Sequence, residues 1–311
     1  MKVLVTGGTG LLGRGFEEVD HLDHEVTSLH CREYQLDTHK SKHVKCDVLE
    51  YKALESLFLQ NRFDVVIHSA GIANVDYVEN NQRESYDANV RGTTNVVDLS
   101  NRFEAYLIHI STNAVFGGTS APYKEDDQID PVNYYGRVKA ECESLVRAKA
   151  KCCIIVRPIL MYGWNYSFAR SNPVTWAFEK LRKNETIRVV NDIFENPLNN
   201  VQCGEALWKI VEQRPAGIIH LAGGERINRF DFLNKVADVF SFDRDLLQPV
   251  SSSFFKTIAR RPADTTLATQ RMKDELGFEP LPVVDGLVRM KEGFDLSKQY
   301  HFRDAPTSVS S

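Results

Sequence analysis

One segment near the amino terminus, Val5-Thr6-Gly7-Gly8-Thr9-Gly10-Leu11-Leu12-Gly13, constrains this chain more than any other feature. It follows an apolar run at Lys2–Thr6 and leads into a helical pattern. Glycines at G-x-x-G-x-x-G spacing between a strand and a helix each have a physical task. The first permits a tight turn, the second lets backbone approach a pyrophosphate, and the third lets the helix pack on the strand. The helix amino terminus beyond them offers free N–H donors and a partial positive charge. The pattern points to a dinucleotide site in the first βα unit, with Gly7, Gly10 and Gly13 around the phosphates.

The rest of the first half repeats that unit. Short apolar runs at Glu25–Leu29, Val44–Val48, Asp64–Ser69, Tyr106–Ser111 and Cys153–Arg157 read as strands. Helical spacing fills Tyr51–Asn61, Arg83–Phe103 and Tyr134–Ala150. Continuous apolar strands alternating with helices predict an α/β fold with a doubly wound parallel sheet covered on both faces. The second half is less regular. It predicts helices at Trp176–Lys183, Gly204–Gln213, Arg229–Phe240, Thr265–Leu276 and Val283–Gly293, and strands at Ile187–Val190 and Gly217–Leu221. Asn/Pro-rich breaks at Asn165–Pro173 and Asn196–Asn200 punctuate it. We expect a dinucleotide-binding domain over residues 1–160, with segments near 187–222 returning to it. A smaller lobe over 161–295 follows, and then a polar tail over 296–311.

Composition excludes several classes. A net charge of −4 on 311 residues gives no basic footprint for nucleic acid or for an anionic membrane surface. No apolar run approaches the ~20 residues of a membrane span, and the first strand begins at once, so no leader segment is expected ahead of it. The six cysteines lack C-x-x-C spacing, which predicts buried thiols of a reducing cytoplasm, with no metal site. A homodimer is the default assembly.

Three further pieces fall where hydride transfer needs them. His68-Ser69-Ala70-Gly71 ends one buried strand and Ser111-Thr112 the next. Ligands of open α/β sheets bind beyond the carboxyl ends of strands, so both border the crevice. Tyr135 and Lys139 then lie one helical turn apart on the same face. Reduction of a carbonyl builds negative charge on oxygen, and a tyrosine beside an ammonium, which lowers its pKa, is a suitable proton donor. Thr112 can hold the substrate oxygen, and Lys139 can also reach a nicotinamide ribose. The second strand ends in Cys31-Arg32 with no carboxylate before Glu33. Arg32, assisted by Arg14, favours the 2′-phosphate of NADP(H) over NAD(H). Arg260 and Arg261 offer a diphosphate clamp, and Trp164 and Trp176 a stacking surface or core; His109 and His220 read as core residues.

These segments together resemble a known family. TGGTGLLG, the Cys-Asp-Val at 46–48, His-Ser-Ala-Gly at 68–71, Asp-Ala-Asn-Val-Arg-Gly-Thr at 87–93, Ser-Thr-Asn-Ala-Val-Phe-Gly at 111–117 and Tyr-Tyr-Gly-Arg-Val-Lys at 134–139 resemble the extended short-chain dehydrogenase/reductase family. Within it, the segments 189–197 and 258–269 are similar to those of the dTDP-4-dehydrorhamnose reductase group. The resemblance spans about residues 1–295. It implies a Rossmann sheet, an NAD(P) cofactor and a nucleotide-sugar substrate. Thr112, Tyr135 and Lys139 would be catalytic, Gly7, Gly10, Leu12 and Gly13 would hold the pyrophosphate, Asp47 and Val48 would lie at the adenine, and Thr9, Leu11, Ser69, Ala70, Gly71, Asn89, Ser111 and Pro158 would line the cofactor. Thr112, Asn113 and Arg261 would meet the substrate. Two departures stand out. The group's Asp-Tyr after the catalytic Thr reads Asn113-Ala114, and its Phe-Gly-x-Pro-Thr turn reads Phe194-Glu-Asn-Pro-Leu198. Asn113-Ala114 also lacks the titrating pair of the dehydratases. Two alternatives keep the same fold: a 4-epimerase, and a non-catalytic NADP-binding regulatory subunit like that of methionine adenosyltransferase.

Overall fold

A computed structural model describes residues 1–19, 23–32, 40–256 and 258–293. The polar tail and Glu33 lie outside the described residues. The central sheet has seven strands: β1 Lys2–Thr6, β2 Glu25–His30, β3 Lys42–Lys45, β4 Val65–His68, β5 Tyr106–Ile110, β6 Cys153–Pro158 and β7 Gly217–Leu221. Their order is β7-β6-β5-β4-β1-β2-β3, and every pair is parallel. Strand order reverses between β1 and β4, the topological switch point at which such sheets open a ligand crevice. Alternate residues face opposite sides. Val3 and Val5 meet Val65, Ile67, Ile108 and Phe16 on one face, while Leu4 joins Val66, Leu107, Leu54 and Phe58 on the other. Both faces are dry, as the continuous apolar runs require.

The second half divides its segments between two places. The helix Asn200–Gln213 lies against Leu11–Glu18, with the Trp208 ring stacked on Phe16 at 4.3 Å and its Nε1 donating to Phe16 O at 3.2 Å. The β7 strand then joins the edge of the main sheet beside β6. Ile187–Val190 does not return to that sheet; it pairs in parallel with Leu247–Val250. Those two strands belong to a separate core of Trp164, Phe178, Leu181, Phe232, Val236, Leu247 and Leu287. Trp164 is therefore core, its Nε1 bonded to Met290 O at 2.7 Å, while Trp176 is 38% exposed. The helix expected over 265–276 shortens to Gln270–Leu276. Ahead of it, Thr265 N donates to Phe194 O and Tyr123 N to Thr266 O, which holds this stretch extended.

The helical region near 83–103 is continuous but changes pitch. An α-helix at Gln82–Tyr86 passes through a π-helical turn, Asp87–Arg91, into Gly92–Arg102. Turns of this kind are frequent at functional sites.

Candidate active site

A cleft of about 1310 Å³ opens beyond the carboxyl ends of the strands. Gly7, at φ +72°, turns the chain out of β1; a Cβ there would lie 2.8 Å from Ala70 N, so no larger residue fits. Gly10 N closes the turn on Gly7 O at 2.9 Å, and Gly10 stands at the N-cap of Leu11–Glu18. No side chain caps that helix and its first turn holds no acidic residue, which leaves its leading N–H groups for an anion. Thr9, Gly10, Leu11 and Leu12 line the cleft. Gly13 does not. A Cβ on it would come within 2.3 Å of Gly8 O, so its task is to let the helix pack on the loop.

Ser69, Ala70 and Gly71 also line the cleft, packed against the glycine turn. They are locked to β1 by Ser69 Oγ donating to Thr6 O at 3.0 Å and by Ala70 N donating to Thr6 Oγ1 at 3.2 Å. Asn89, on the π-helical turn, reaches the cleft and donates from Nδ2 to Ser85 O at 2.8 Å. Asp47 and Val48 follow β3 at the cleft wall, with Asp47 Oδ1 accepting from Leu49 N at 2.9 Å. Arg32 is exposed on the rim at the end of β2. Arg14 takes no part there: it pairs with Glu18 and lies over the Tyr166 ring at 4.9 Å.

The helix Tyr134–Lys149 is started by Asn133, whose Oδ1 accepts from Gly136 N at 2.9 Å. Tyr135, Lys139 and Glu143 recur on its buried face at four-residue spacing. Tyr135 and Lys139 reach the cleft beside Ser111, Thr112 and Pro158. The Thr112 hydroxyl accepts from Ala114 N at 3.1 Å and donates to Asn113 Oδ1 at 3.3 Å. Lys139 Nζ donates to Ile110 O at 2.6 Å.

The electrostatics differ from the expectation for this pair. Burial pushes the Tyr135 phenol up to about 12, against the pull of the Thr112 hydroxyl, and the lysine does not lower it. Burial also lowers Lys139, opposed by Cys142 and Glu143. Desolvation thus outweighs the neighbouring ammonium, which is turned onto the Ile110 carbonyl. Beneath them, burial and then Lys139 push His68 down to about 3; its ring nitrogens contact Thr6 Oγ1 at 2.8 Å and Thr93 Oγ1 at 3.1 Å.

Sequence reasoning missed Glu143 and Arg157. The carboxylate takes bonds from Arg157 Nε at 2.8 Å and Nη2 at 2.7 Å, and from Ser111 Oγ at 2.5 Å. Their signals were an acid two turns beyond Tyr135 on the same helix face and an arginine inside an apolar strand.

Two residues expected at the substrate stand elsewhere. Asn113 Nδ2 donates to Thr265 Oγ1 at 2.6 Å and to Glu195 Oε1 at 3.4 Å, and the side chain is not part of the cleft wall. Arg261 binds Asp76 Oδ2 at 2.8 Å and Ala259 O at 3.2 Å, also off the wall. Both are drawn away by polar partners distant in sequence. Arg260 is exposed, and its carbonyl accepts from Asn133 Nδ2 at 2.9 Å. Among the described residues, no three His, Cys, Asp or Glu side chains gather as a metal ion would need. No described helix is long and apolar enough to cross a membrane.

The cradle fits a dinucleotide: a turn that a Cβ would block, an uncapped helix terminus and a long cleft ending at Tyr135. The family model described as RmlD substrate binding domain matches residues 1–295. The dTDP-4-dehydrorhamnose reductase of Mycolicibacterium smegmatis is 29% identical, over 90% of this chain and 81% of that protein. Methionine adenosyltransferase 2 subunit beta of Bos taurus is 26% identical, over 88% and 81%. The fold matches a crystal structure of dTDP-4-dehydrorhamnose reductase from Bacillus anthracis in complex with NADP, with TM-score 0.83 at 24% identity, covering 94% of this chain and 99% of that one. The chain belongs to the RmlD substrate binding domain family, within the dTDP-4-dehydrorhamnose reductase-like group of the extended short-chain dehydrogenases/reductases.

Proposed function

We propose that this protein is an NADP(H)-dependent reductase of the 4-keto group of a nucleotide-activated 6-deoxysugar. The observation that carries the reading is the meeting of Thr112, Tyr135 and Lys139 at one wall of the cleft whose other end is the glycine cradle. Held between the glycine turn and Ser69-Ala70-Gly71, a dinucleotide would supply the hydride for the carbonyl carbon. Thr112 holds the carbonyl oxygen, and Tyr135 gives that oxygen its proton. A phenol held at about 12 carries its proton at neutral pH but is a weak acid, so its donation depends on the charge that builds on the substrate oxygen. Lys139, buried one turn away and held on the Ile110 carbonyl, would reach the nicotinamide ribose. Arg32 on the rim favours the 2′-phosphate of NADP(H). The lobe with the separate core would grip the sugar nucleotide. In the test, NADPH oxidation is followed with dTDP-4-keto-6-deoxysugars. Tyr135→Phe should abolish turnover, and near-parental turnover by that variant refutes the mechanism.

A second reading is a non-catalytic NADP-binding regulatory subunit. It is favoured by Asn113, which is held to Thr265 and is not among the residues of the cleft wall. Dinucleotide binding without turnover of any nucleotide sugar, together with co-purification of a stoichiometric synthetase, selects it.

A further inference from the structure

We propose that the loop 163–172 is part of the cofactor site and that Arg170 on it is a pyrophosphate-binding cation. This rests on the dinucleotide reading of the cleft but not on sugar reduction. In the sequence the segment is only an Asn/Pro-rich break; in the structure it is a closed loop laid along the phosphate helix. Its ends are tied by Asn172 Nδ2 donating to Gly163 O at 2.7 Å, and a rung inside it runs from Asn165 Nδ2 to Arg170 O at 2.7 Å. Asn200 Nδ2 joins it to the helix start, reaching Trp164 O and Leu11 O at 3.3 Å each.

One turn further along the helix, Tyr166 donates its hydroxyl to Glu17 Oε2 at 2.7 Å while Arg14 lies over its ring at 4.9 Å. Glu17 is 3% exposed, so this anchor is built into the fold. Phe168 stacks on Tyr166 at 5.3 Å, and Phe168, Ala169 and Arg170 form the cleft wall together with Gly10, Leu11 and Leu12. The Arg170 side chain is exposed and has no carboxylate partner among the described residues. A guanidinium on the wall that holds the uncapped helix terminus matches a diphosphate in charge and in its forked donor geometry. Arg32, at the end of β2, lies where the ribose is expected instead.

The test measures Kd by calorimetry for NADP⁺, 2′-AMP and dTDP with the full chain and its variants. Arg170→Ala should weaken NADP⁺ roughly tenfold, the loss of one charge-assisted contact, and leave 2′-AMP and dTDP within about twofold. Tyr166→Phe should weaken NADP⁺ less, and its effect should shrink in the Arg170→Ala background, because both act through one loop. Unchanged NADP⁺ affinity in Arg170→Ala overturns the proposal. So does a loss on 2′-AMP, which assigns the arginine to the 2′-phosphate, or a loss on dTDP alone, which assigns it to a sugar-nucleotide diphosphate. A parent that binds no dinucleotide overturns it too, whereas a parent that binds NADP⁺ but reduces no sugar defeats only the catalytic reading.

Discussion

The Arg157 guanidinium grips both oxygens of Glu143, at 2.8 and 2.7 Å, with each side chain 3% exposed. Glu143 lies on the helix that carries Tyr135 and Lys139, and Arg157 lies on β6. The same carboxylate accepts from Ser111 beside Thr112. One buried pair therefore fixes the register between the Tyr-Lys helix and the strand end that holds Thr112.

Removing one partner leaves a buried charge without compensation. Glu143→Gln should lower unfolding stability by about 3 kcal/mol. A Glu143→Leu/Arg157→Met double variant should recover much of the loss, since apolar residues of similar volume leave no such charge. Urea denaturation reads both; a double variant no more stable than the single one contradicts this account.

Gly7 is both strained for any other residue and tightly enclosed. Gly7→Ala should cost about 1–3 kcal/mol and eliminate dinucleotide binding. Gly277 makes the control: its φ is +59°, but nothing lies within 4 Å of a Cβ there. Gly277→Ala should lower the melting temperature yet keep the shift on adding NADP⁺. If Gly7→Ala keeps that shift, the cradle is misassigned.

Asn113 lies 3.4 Å from Glu195 Oε1, and Glu195 is paired with Arg229 at 2.7 Å. An Asp at position 113 would set two carboxylates face to face. Asn113→Asp should destabilise by about 1–3 kcal/mol at neutral pH. Repulsion raises the folded-state carboxyl pKa, so the deficit should grow as pH rises through that value and shrink on acidification. Asn113→Asp/Glu195→Gln should restore the parental stability, and a deficit independent of pH refutes the argument.

His68 and His220 are both pushed down to about 3, chiefly by burial. Below pH 6.5 the unfolded chain takes up protons at these sites and the folded chain does not, so stability falls as pH drops from about 6.5 toward 3. Each such histidine contributes at most about 1.4 kcal/mol per pH unit in that window. Urea midpoints between pH 7 and 5 should decline, and more shallowly for His68→Gln. An equal slope in that variant excludes His68 as a contributor.

Much of the fold was legible along the chain. Apolar runs named the strands, and their order along the chain put the glycine turn, Ser69-Ala70, Ser111-Thr112 and Tyr135-x-x-x-Lys139 at strand and helix ends, where the cleft lies. Those features are local: spacing fixes which face a side chain takes, and a strand end fixes where a loop begins. The choice of distant partner is not local. Arg14 turned to Tyr166, Arg261 to Asp76, Asn113 to Thr265 and Glu143 to Arg157, and each contact depends on elements that meet only after folding. The same holds for Ile187–Val190, whose apolar pattern would suit either sheet and which found Leu247–Val250. The sequence by itself determined the parallel sheet and the positions of Thr112, Tyr135 and Lys139 on it. Tertiary packing decided which polar groups were buried together, and so set the direction in which Tyr135 and Lys139 shift, because desolvation there outweighs the influence of sequence neighbours.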